Sequence, residues 1–213
     1  NAVDLAGQHV LPIRSVFTSE LMSTISLSAW VRPTAISYCG EIFRQENGDR
    51  RVLFSFQESG TILSFGLNIG GYLECDAPVN PAILMDGQWH HCAASFDGAV
   101  MRVFFDGREI GIKAQPGQTS VDPMATGYIG SSSGTSEHFE GGLDDLRIYD
   151  VTLTEKQISN LFETGRETQN KLQEQQNSQI ARIFKLTDSF PETLAQMRQK
   201  IQSEQIILTS DLA

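Results

Sequence analysis

Two short polar segments of the 213-residue chain carry the side chains best suited to directional hydrogen bonding. The first is Gln45 to Arg51 (QENGDRR) and the second is Ser131 to His138 (SSSGTSEH). Both are polar and contain glycine, which is typical of surface loops on a rigid scaffold, where binding residues concentrate. The residues that can bind sugar hydroxyls or peptide groups are Arg50, Arg51, Glu137 and His138. We therefore predict ligand-binding residues at these four positions.

The histidines and cysteines do not have the spacing of a metal site. His90 and His91 are adjacent, and neighbouring side chains of a strand point to opposite faces, so the pair cannot chelate one ion. We expect one packed and one surface imidazole. The cysteines are too few for a disulfide scaffold and lack paired zinc spacing, so we expect small buried hydrophobes. They are Cys39, Cys75 and Cys92.

Charge and composition argue against several classes of function. The chain carries 26 Asp and Glu against 16 Lys and Arg, a net charge of −10. An acidic surface repels phosphates, so we expect no binding of nucleic acid. No apolar run approaches the roughly 18 residues of a membrane span. The sequence also has no Walker or H-E-x-x-H motif, so the corresponding enzyme classes are not indicated.

The chain changes character near residue 165. All 18 glycines lie in residues 1–165, whereas residues 166–213 have no glycine and equal numbers of acidic and basic side chains. The first region alternates short β-rich segments with turn pairs such as Asp106-Gly107. The predicted strands include residues 10–13, 26–31, 51–56, 62–67, 91–96 and 101–105. About ten strands without helices between them predict an all-β, two-sheet antiparallel sandwich.

The aromatic residues and one helix complete the predicted sandwich. We expect Trp30, Trp89 and most phenylalanines to lie in its core, because aromatic residues flanked by β-formers pack between sheets. Residues 154–157 (TEKQ) form a capping box that starts a helix. Ile158, Leu161 and Phe162 then share one apolar face, and Gly165 is predicted to end the helix.

Five segments, in order along the chain, resemble the laminin-G-like, concanavalin A-like jelly-roll domains. They are TISLSAWVRP (24–33), QWHHCAASFDG (88–98), MRVFFDGREIG (101–111), YIG (128–130) and FEGGLDDLRIY (139–149). Residues 151–162 resemble the short closing helix of these domains. The resemblance covers about residues 2–165. It implies an antiparallel jelly-roll sandwich, here with a C-terminal α-helical extension.

The resemblance also raises the question of calcium. Members of this superfamily often bind calcium, and several bind sugars, glycosaminoglycans or proteins. Calcium needs six to eight oxygen ligands, but the stretch equivalent to the family's Asp-rich first strand, residues 7–10 (GQHV), has no carboxylate. Asp144 is the remaining metal candidate, and the alternative is a carboxylate bonded to backbone amides. We expect at most weak calcium binding.

Enzymes on this fold provide a second comparison. Laminarinase-type glucanases, which this superfamily includes, carry E-x-D-x-E or E-x-D-x-x-E on one strand, as nucleophile and acid/base. The most similar segment here is Glu74-Cys75-Asp76, which is followed by Ala77 and Pro78 and lacks the third carboxylate. We therefore predict that the protein is not an enzyme, with a degenerate glycosidase as an alternative.

The C-terminal region is predicted to be a helical hairpin. Residues 166–188 form a helix with a thin apolar stripe, and Ser189 with Pro191 and Glu192 indicates the start of a second helix. Such a hairpin has little core of its own, so it needs the sandwich, another protomer or a partner protein as a packing surface. A helical linker to further domains is the alternative.

The sequence favours a non-catalytic recognition module that binds a glycan or a protein and belongs to a larger assembly or multidomain protein. The alternative is a structural or assembly subunit whose helical tail (residues 166–213) docks to a partner. For the first we expect an extracellular or cell-surface location. The second leaves an intracellular assembly open.

Overall fold

The structure, a computed structural model, describes residues 3–5 and 10–188. Two six-stranded antiparallel sheets form its sandwich. Sheet 1 has the order β1 (Val3–Asp4), β14 (Glu140–Tyr149), β4 (Ile25–Ala35), β9 (His90–Phe96), β10 (Val100–Phe105) and β11 (Arg108–Ala114). Sheet 2 has the order β2 (Leu11–Ile13), β13 (Gly127–Ile129), β5 (Gly40–Asn47), β6 (Arg50–Gln57), β7 (Ile62–Asn68) and β8 (Tyr72–Pro78). The predicted two-sheet antiparallel sandwich is confirmed.

The remaining elements are small, apart from one long helix. β3 (Leu21–Met22) pairs with β12 (Thr119–Ser120), and α1 (Pro81–Leu84) follows β8. A 3-10 turn at Glu58–Gly60 joins β6 to β7, and α2 runs over Glu155–Asp188. All six of the strands named above are present within a few residues of their predicted bounds, whereas β5 had not been predicted.

Phenylalanine dominates the core between the sheets. Alternation turns one side chain in two of each strand inward, and the fully buried aromatic residues there include Phe43, Phe54, Phe56, Phe65 and Phe96. Large aromatic side chains contribute most of the apolar area that stabilises such a sandwich. The prediction that most phenylalanines lie in the core is confirmed.

The outer face of sheet 1 is covered by the start of α2, and this cover buries Trp30. Trp30 stacks on Phe162, with ring centroids 5.8 Å apart, and lies 5.3 Å from the ring of His91. Ala93 and Phe104 form a second apolar cluster there with Leu153 and Ile158. We call this surface the helix face. The placement of Trp30 between the sheets was wrong, because its side chain points to the opposite side of β4.

Trp89 is also not a core residue. It precedes β9 and is half-buried, with the guanidinium of Arg32 5.0 Å from its ring centroid. Its indole packs over Gly142, where a Cβ atom would approach the ring to 2.6 Å. The ring therefore covers the end of sheet 1 and does not fill the space between the two sheets.

The start of α2 has the predicted capping box, but its end differs from the prediction. The amide of Gln157 donates to Thr154 Oγ1 at 3.3 Å, and the amide of Thr154 donates to Gln157 Oε1 at 2.9 Å. The helix continues through Gly165, because an interior glycine costs only about 1 kcal/mol relative to alanine. The predicted second helix, from Ser189, lies outside the described residues. The chain forms two compact units, the second beginning at Glu163.

The exposed edges of the two sheets lie side by side. β8 ends sheet 2 and β11 ends sheet 1, and Gly111 packs on Ala77 so closely that a Cβ atom would approach its methyl group to 2.6 Å. Lys113 Nζ donates to the carbonyl oxygen of Glu74 at 2.6 Å. The two edge strands therefore contact each other at this corner of the sandwich.

Candidate functional site

The outer face of sheet 2 carries a charged network in place of an apolar cover. A register shift in β5 between Glu41 and Phe43 lets Ile42 and Phe43 both be buried, after which alternation points Arg44 and Glu46 outward. Neighbouring strands and one loop add further polar side chains to the same face. We call the set the arginine network: Glu41, Arg44, Glu46, Arg51, Tyr72, Glu74 and Glu137.

Arg44 is the centre of this network. Its Nη1 donates to Glu41 Oε1 at 3.0 Å and to Glu137 Oε2 at 2.7 Å. Its Nε and Nη2 both contact Glu46 Oε2, at 3.0 and 2.9 Å. Because its side chain is only 11% exposed, water screens these pairs less than at an open surface, and the geometry is held firmly.

Arg51 extends the network along the sheet. Its guanidinium pairs with Glu46 and lies 4.5 Å from the ring centroid of Tyr72. The Tyr72 hydroxyl donates to Glu74 Oε1. Burial and this hydrogen bond together raise the pKa of Tyr72, so its hydroxyl stays a donor at physiological pH. The face thus has cationic, aromatic and carboxylate groups within one connected set.

Glu41 is the most buried member of the network, at 1% exposure. Burial raises the pKa of its carboxyl to about 8; Arg44 opposes this shift, and the charge and hydrogen bond of Glu137 add to it. Within the described part of the chain, Glu41 Oε2 and the neighbouring Ser55 Oγ have no hydrogen-bond partner. Unmatched buried polar atoms are uncommon and require an explanation.

The structure brings two of the four predicted binding residues together. Arg51 and Glu137 both belong to the arginine network, connected through Arg44 and Glu46. Arg50 and His138 do not belong to it. Arg50 is exposed, and its charge, after hydrogen bonds from Asn47 and Met124, contributes to lowering the pKa of Asp122. His138 is half-buried, and its Nδ1 has no hydrogen-bond partner among the described residues.

Sequence reasoning missed Glu41, Arg44 and Tyr72. The segment GEIFRQEN had not been recognised as a strand, since its bulge breaks the regular alternation that identifies one. Arg44 and Glu137 lie 93 positions apart, so no local pattern could join them. The one available signal was the E-x-x-R-x-E spacing of residues 41–46, which places opposite charges within reach on one strand.

Sequence comparison now identifies the family. Residues 7–159 match the laminin G family model described as the Concanavalin A-like lectin/glucanases superfamily. The chain belongs to this superfamily. Its jelly-roll fold is therefore shown both by the match and by the observed topology, and the structure shows the helical extension as α2.

Two curated proteins are similar to this superfamily domain. Adhesion G-protein coupled receptor V1 of Danio rerio is 24% identical over 154 residues, covering 69% of this chain and 2% of that protein. Pentraxin-4 of Homo sapiens is 26% identical over 161 residues, covering 68% of this chain and 33% of that protein. The chain thus spans a minor part of either relative.

Two solved structures show the same fold. The native heptameric SAP-like pentraxin from Limulus polyphemus has a TM-score of 0.52 at 21% identity, with 74% of this chain and 79% of that chain covered. Domain 4 of AbnA, a GH43 extracellular arabinanase from Geobacillus stearothermophilus, was solved in complex with arabinotriose. It has a TM-score of 0.55 at 18% identity, covering 76% and 86% of the two chains.

The surroundings of Asp144 include a backbone hydrogen bond and a nearby ion pair. Its Oδ1 accepts a hydrogen bond from the amide of Asp145 at 2.9 Å, and Asp145 is paired with Arg147 at 2.7 Å. Over residues 3–5 and 10–188, no group of three His, Cys, Asp or Glu side chains is arranged to hold a metal ion. Residues 7–9 lie outside the described part. Calcium binding at Asp144 stays a prediction.

The two candidate glucanase carboxylates do lie on one face, as alternation requires. Glu74 is bonded to Tyr72, and Asp76 accepts from Ser64 Oγ at 2.7 Å. Both carboxylates are therefore engaged in hydrogen bonds within sheet 2. The strand ends at Pro78, which occupies the position where the third carboxylate of the enzyme motif would stand.

Both histidines of the adjacent pair are buried, so the prediction of one surface imidazole was wrong. His90 lies between two carboxylates, with Nδ1 2.8 Å from Asp106 Oδ2 and Nε2 3.2 Å from Asp86 Oδ1. Burial lowers the pKa of His90, but its two carboxylate partners outweigh this and raise it. His91 packs under the helix face, where burial lowers its pKa to about 4.

The cysteines are free thiols, two of them buried as predicted. Cys75 and Cys92 lie in the core between the sheets. Cys39 is half-buried beside the arginine network, so the prediction of burial was wrong for this residue. Burial, followed by the charges of Glu137 and Glu41, raises the pKa of Cys39 to about 11, which keeps the thiol protonated and a poor nucleophile.

Proposed function

We propose that the domain is a non-catalytic recognition module that binds a glycan or a protein ligand on the arginine network. The observation that carries this proposal is a preorganised polar surface whose outer charged groups remain accessible. Arg44 holds three carboxylates in fixed positions, and two of them, Glu46 and Glu137, are 31% and 39% exposed. Fixed polar groups bind with less loss of conformational entropy than mobile ones.

The outer members of the network would make the direct contacts. Glu137 is 39% exposed, Glu46 31% and Arg51 25%, so each is accessible to a ligand while one end is held by another charged group. Guanidinium and carboxylate groups are the polar side chains that hydrogen-bond hydroxyl and peptide groups with the strongest directionality. Arg44, which is nearly buried, would support them.

Fold relatives are consistent with this assignment. The AbnA domain was solved with arabinotriose, a glycan, and another structure of the same fold is a pair of laminin α1 LG domains from mouse. The excess of carboxylates in the network, together with the net charge of −10, favours neutral or basic ligands over sulfated or phosphorylated ones. We further propose an extracellular or cell-surface location, consistent with the receptor and pentraxin relatives.

Binding assays on matched variants test this function. Glycan arrays and pull-downs should be run with the wild type, Arg51→Ala, Glu137→Ala and, as a control, Arg50→Ala, which changes an exposed arginine outside the network. We expect the first two variants to lose binding and the control to retain it. Equal binding by all four proteins would remove the arginine network as the ligand site.

A second candidate function uses the tail. α2 continues as one helix from the sandwich to Asp188, and a long helix with its own unit is suited to docking in an assembly. Along the described helix, no segment is apolar and long enough to span a membrane. Deleting residues 166–213 separates the candidates. A recognition module keeps its ligand after the deletion, whereas an assembly subunit loses incorporation into its complex.

A further inference from the structure

We propose that Glu41 is a positioning residue of the recognition surface, because a proton on its buried carboxyl keeps Glu137 in place on Arg44. The inference rests on the proposed function in one respect, namely that the arginine network is the binding surface. When the proton leaves Glu41, a further negative charge appears at the same guanidinium. Glu137 then moves away from Arg44, and the surface offered to a ligand changes.

The charge balance of the network carries the first step. Three of the network's four carboxylates (Glu41, Glu46 and Glu137) contact its two guanidinium groups (Arg44 and Arg51), and the fourth, Glu74, is hydrogen-bonded to Tyr72. With the first three ionised, these five side chains have an excess of one negative charge in a mostly buried place. One proton on a carboxyl makes three negative and two positive charges into two of each, which removes the cost of burying an unbalanced charge.

The hydrogen bonds identify Glu41 as the residue that holds this proton. It is the most buried of the three, and burial disfavours the charged form of a carboxyl. Its Oε1 accepts from Arg44, while its Oε2 finds no donor among the described residues. A proton on Oε2 would make this atom a donor, and Glu137, which shares Arg44 Nη1 with Glu41, is the carboxylate placed to accept from it.

The groups that surround Glu41 agree with this assignment. Cys39 lies before β5 and stays a neutral thiol through the neutral range, since its pKa is raised to about 11. Glu74 on β8 is hydrogen-bonded to Tyr72, while Arg51 on β6 is already shared with Glu46. No second cation among these residues is close enough to neutralise Glu41, so the pKa of Glu41, raised to about 8 by burial, lies near physiological pH.

Glu137 is the group that moves. It is the most exposed of the three carboxylates, at 39%, and has a positive φ of 53° in a loop, whereas Glu46 lies in a strand with both arginines as partners. Arg44 Nη1 is its ion-pair contact in the network and is shared with Glu41. An ionised Glu41 competes for that nitrogen from a fixed strand position, so Glu137 loses the competition.

Carboxyl NMR titration of the ligand-free full chain tests the inference. Protein labelled with ¹³C at the glutamate carboxyl is titrated from about pH 5 to about pH 10. We expect the Glu41 signal to titrate with a midpoint near 8, and the Glu137 signal to shift at the same midpoint. A Glu41 midpoint near the ordinary glutamate range, or a Glu137 signal indifferent to the Glu41 midpoint, overturns the inference.

Two variants separate positioning from simple stabilisation. Glu41→Gln keeps the shape and a donor towards Glu137 but has no proton to lose, so the shift of the Glu137 signal near pH 8 should disappear. Glu46→Gln removes a competing carboxylate from Arg44, so the Glu41 midpoint should fall. An unchanged midpoint in Glu46→Gln contradicts the charge balance, even if Glu41→Gln does not fold. Both tests omit a ligand, so their results stand if the proposed function fails.

Discussion

The two outer faces of this sandwich differ in what covers them: one is apolar and buried under a helix, and the other is charged and partly exposed. The helix face of sheet 1 is apolar and is closed by the start of α2, with Trp30, Phe104 and Ile158 buried beneath it. The outer face of sheet 2 carries the arginine network, whose outer members remain partly exposed. One face therefore supplies stability through burial, and the other holds charged groups in fixed positions at a partly exposed surface.

The two outer faces also differ in what they contribute to the stability of the sandwich. Both sheets already bury their inner faces in one shared core, so a second cover on sheet 1 is additional stabilisation. A polar outer face gains little from burial, since ion pairs near water contribute little to folding. The geometry of its side chains comes from mutual pairing around Arg44, which costs stability when the charges are unbalanced.

Removing Trp30 is expected to have the largest effect. Trp30→Ala should lower the free energy of unfolding by about 3–5 kcal/mol, the range for a large buried aromatic residue, because its ring is 4% exposed under α2. Urea melts measure the change. Trp89→Ala is the matched control on a half-buried tryptophan, and a loss as large as that of Trp30→Ala would contradict the contrast between the two rings.

Removing the centre of the arginine network should cost less. Arg44→Ala leaves Glu41 buried without its ion pair, for which we expect a loss of about 1–3 kcal/mol, limited by protonation of Glu41. Arg50→Ala, on an exposed residue outside the network, should change stability by less than about 0.5 kcal/mol. Denaturant melts at neutral pH compare them, and equal losses would show that the network has no structural role.

The pH dependence of stability should differ between the two faces. His91, under the helix face, has a pKa lowered by burial to about 4, so the folded state binds fewer protons and stability falls as pH drops from about 6.5 to 4. Glu41 has a pKa raised to about 8, so stability falls as pH rises from about 4.5 to 8.

Two variants identify which residue causes each part of this pH dependence. In thermal melts across pH, His91→Gln should lose less stability as the pH falls, and Glu41→Gln should lose less stability as the pH rises. His90, whose pKa is raised, loses its contribution to stability as pH rises above about 6.5. Part of the loss of stability with rising pH should therefore remain in Glu41→Gln. If the stability of Glu41→Gln depended on pH as that of the wild type does, the loss of stability with rising pH would come from a group other than Glu41.

Calcium should have the smallest effect. Asp144 has no two acidic or histidine partners arranged with it within the described residues, so we expect little or no stabilisation at micromolar calcium and any effect only near millimolar. Thermal unfolding in chelator and in graded calcium, for the wild type and Asp144→Asn, measures this. A shift of several degrees at micromolar calcium that disappears in the variant would establish Asp144 as a ligand.

Much of the sandwich follows from local patterns. Alternation and Asp-Gly turns predicted six of the strands, and Asp106 and Gly107 have the positive φ values, 48° and 75°, that a tight hairpin turn needs. The capping box at Thr154 was also readable. The predicted core positions of Trp30 and Trp89 were wrong, because the pattern of a single strand does not show what covers its outer face. Trp30 packs under a helix 132 positions away, and Trp89 packs on Gly142.

The candidate site was only partly predictable for a related reason. Arg51 and Glu137 could be found, since both lie in polar glycine-containing segments. Their connection through Arg44 could not, because it depends on a bulge that shifts β5 and on a loop that arrives from far along the chain. The sequence does not distinguish Arg50 from its neighbour Arg51, and only the orientation of their side chains on β6 shows that Arg51 belongs to the network.

The contact between β8 and β11 has a consequence for how this domain behaves in concentrated solution. An uncovered strand edge can add a strand from a neighbouring molecule and begin fibrous aggregation. Here Lys113 occupies a backbone acceptor of β8, and Gly111 packs against Ala77, so an incoming strand would have to displace both contacts. The absence of a side chain at Gly111 thus permits a contact that opposes self-association at this corner.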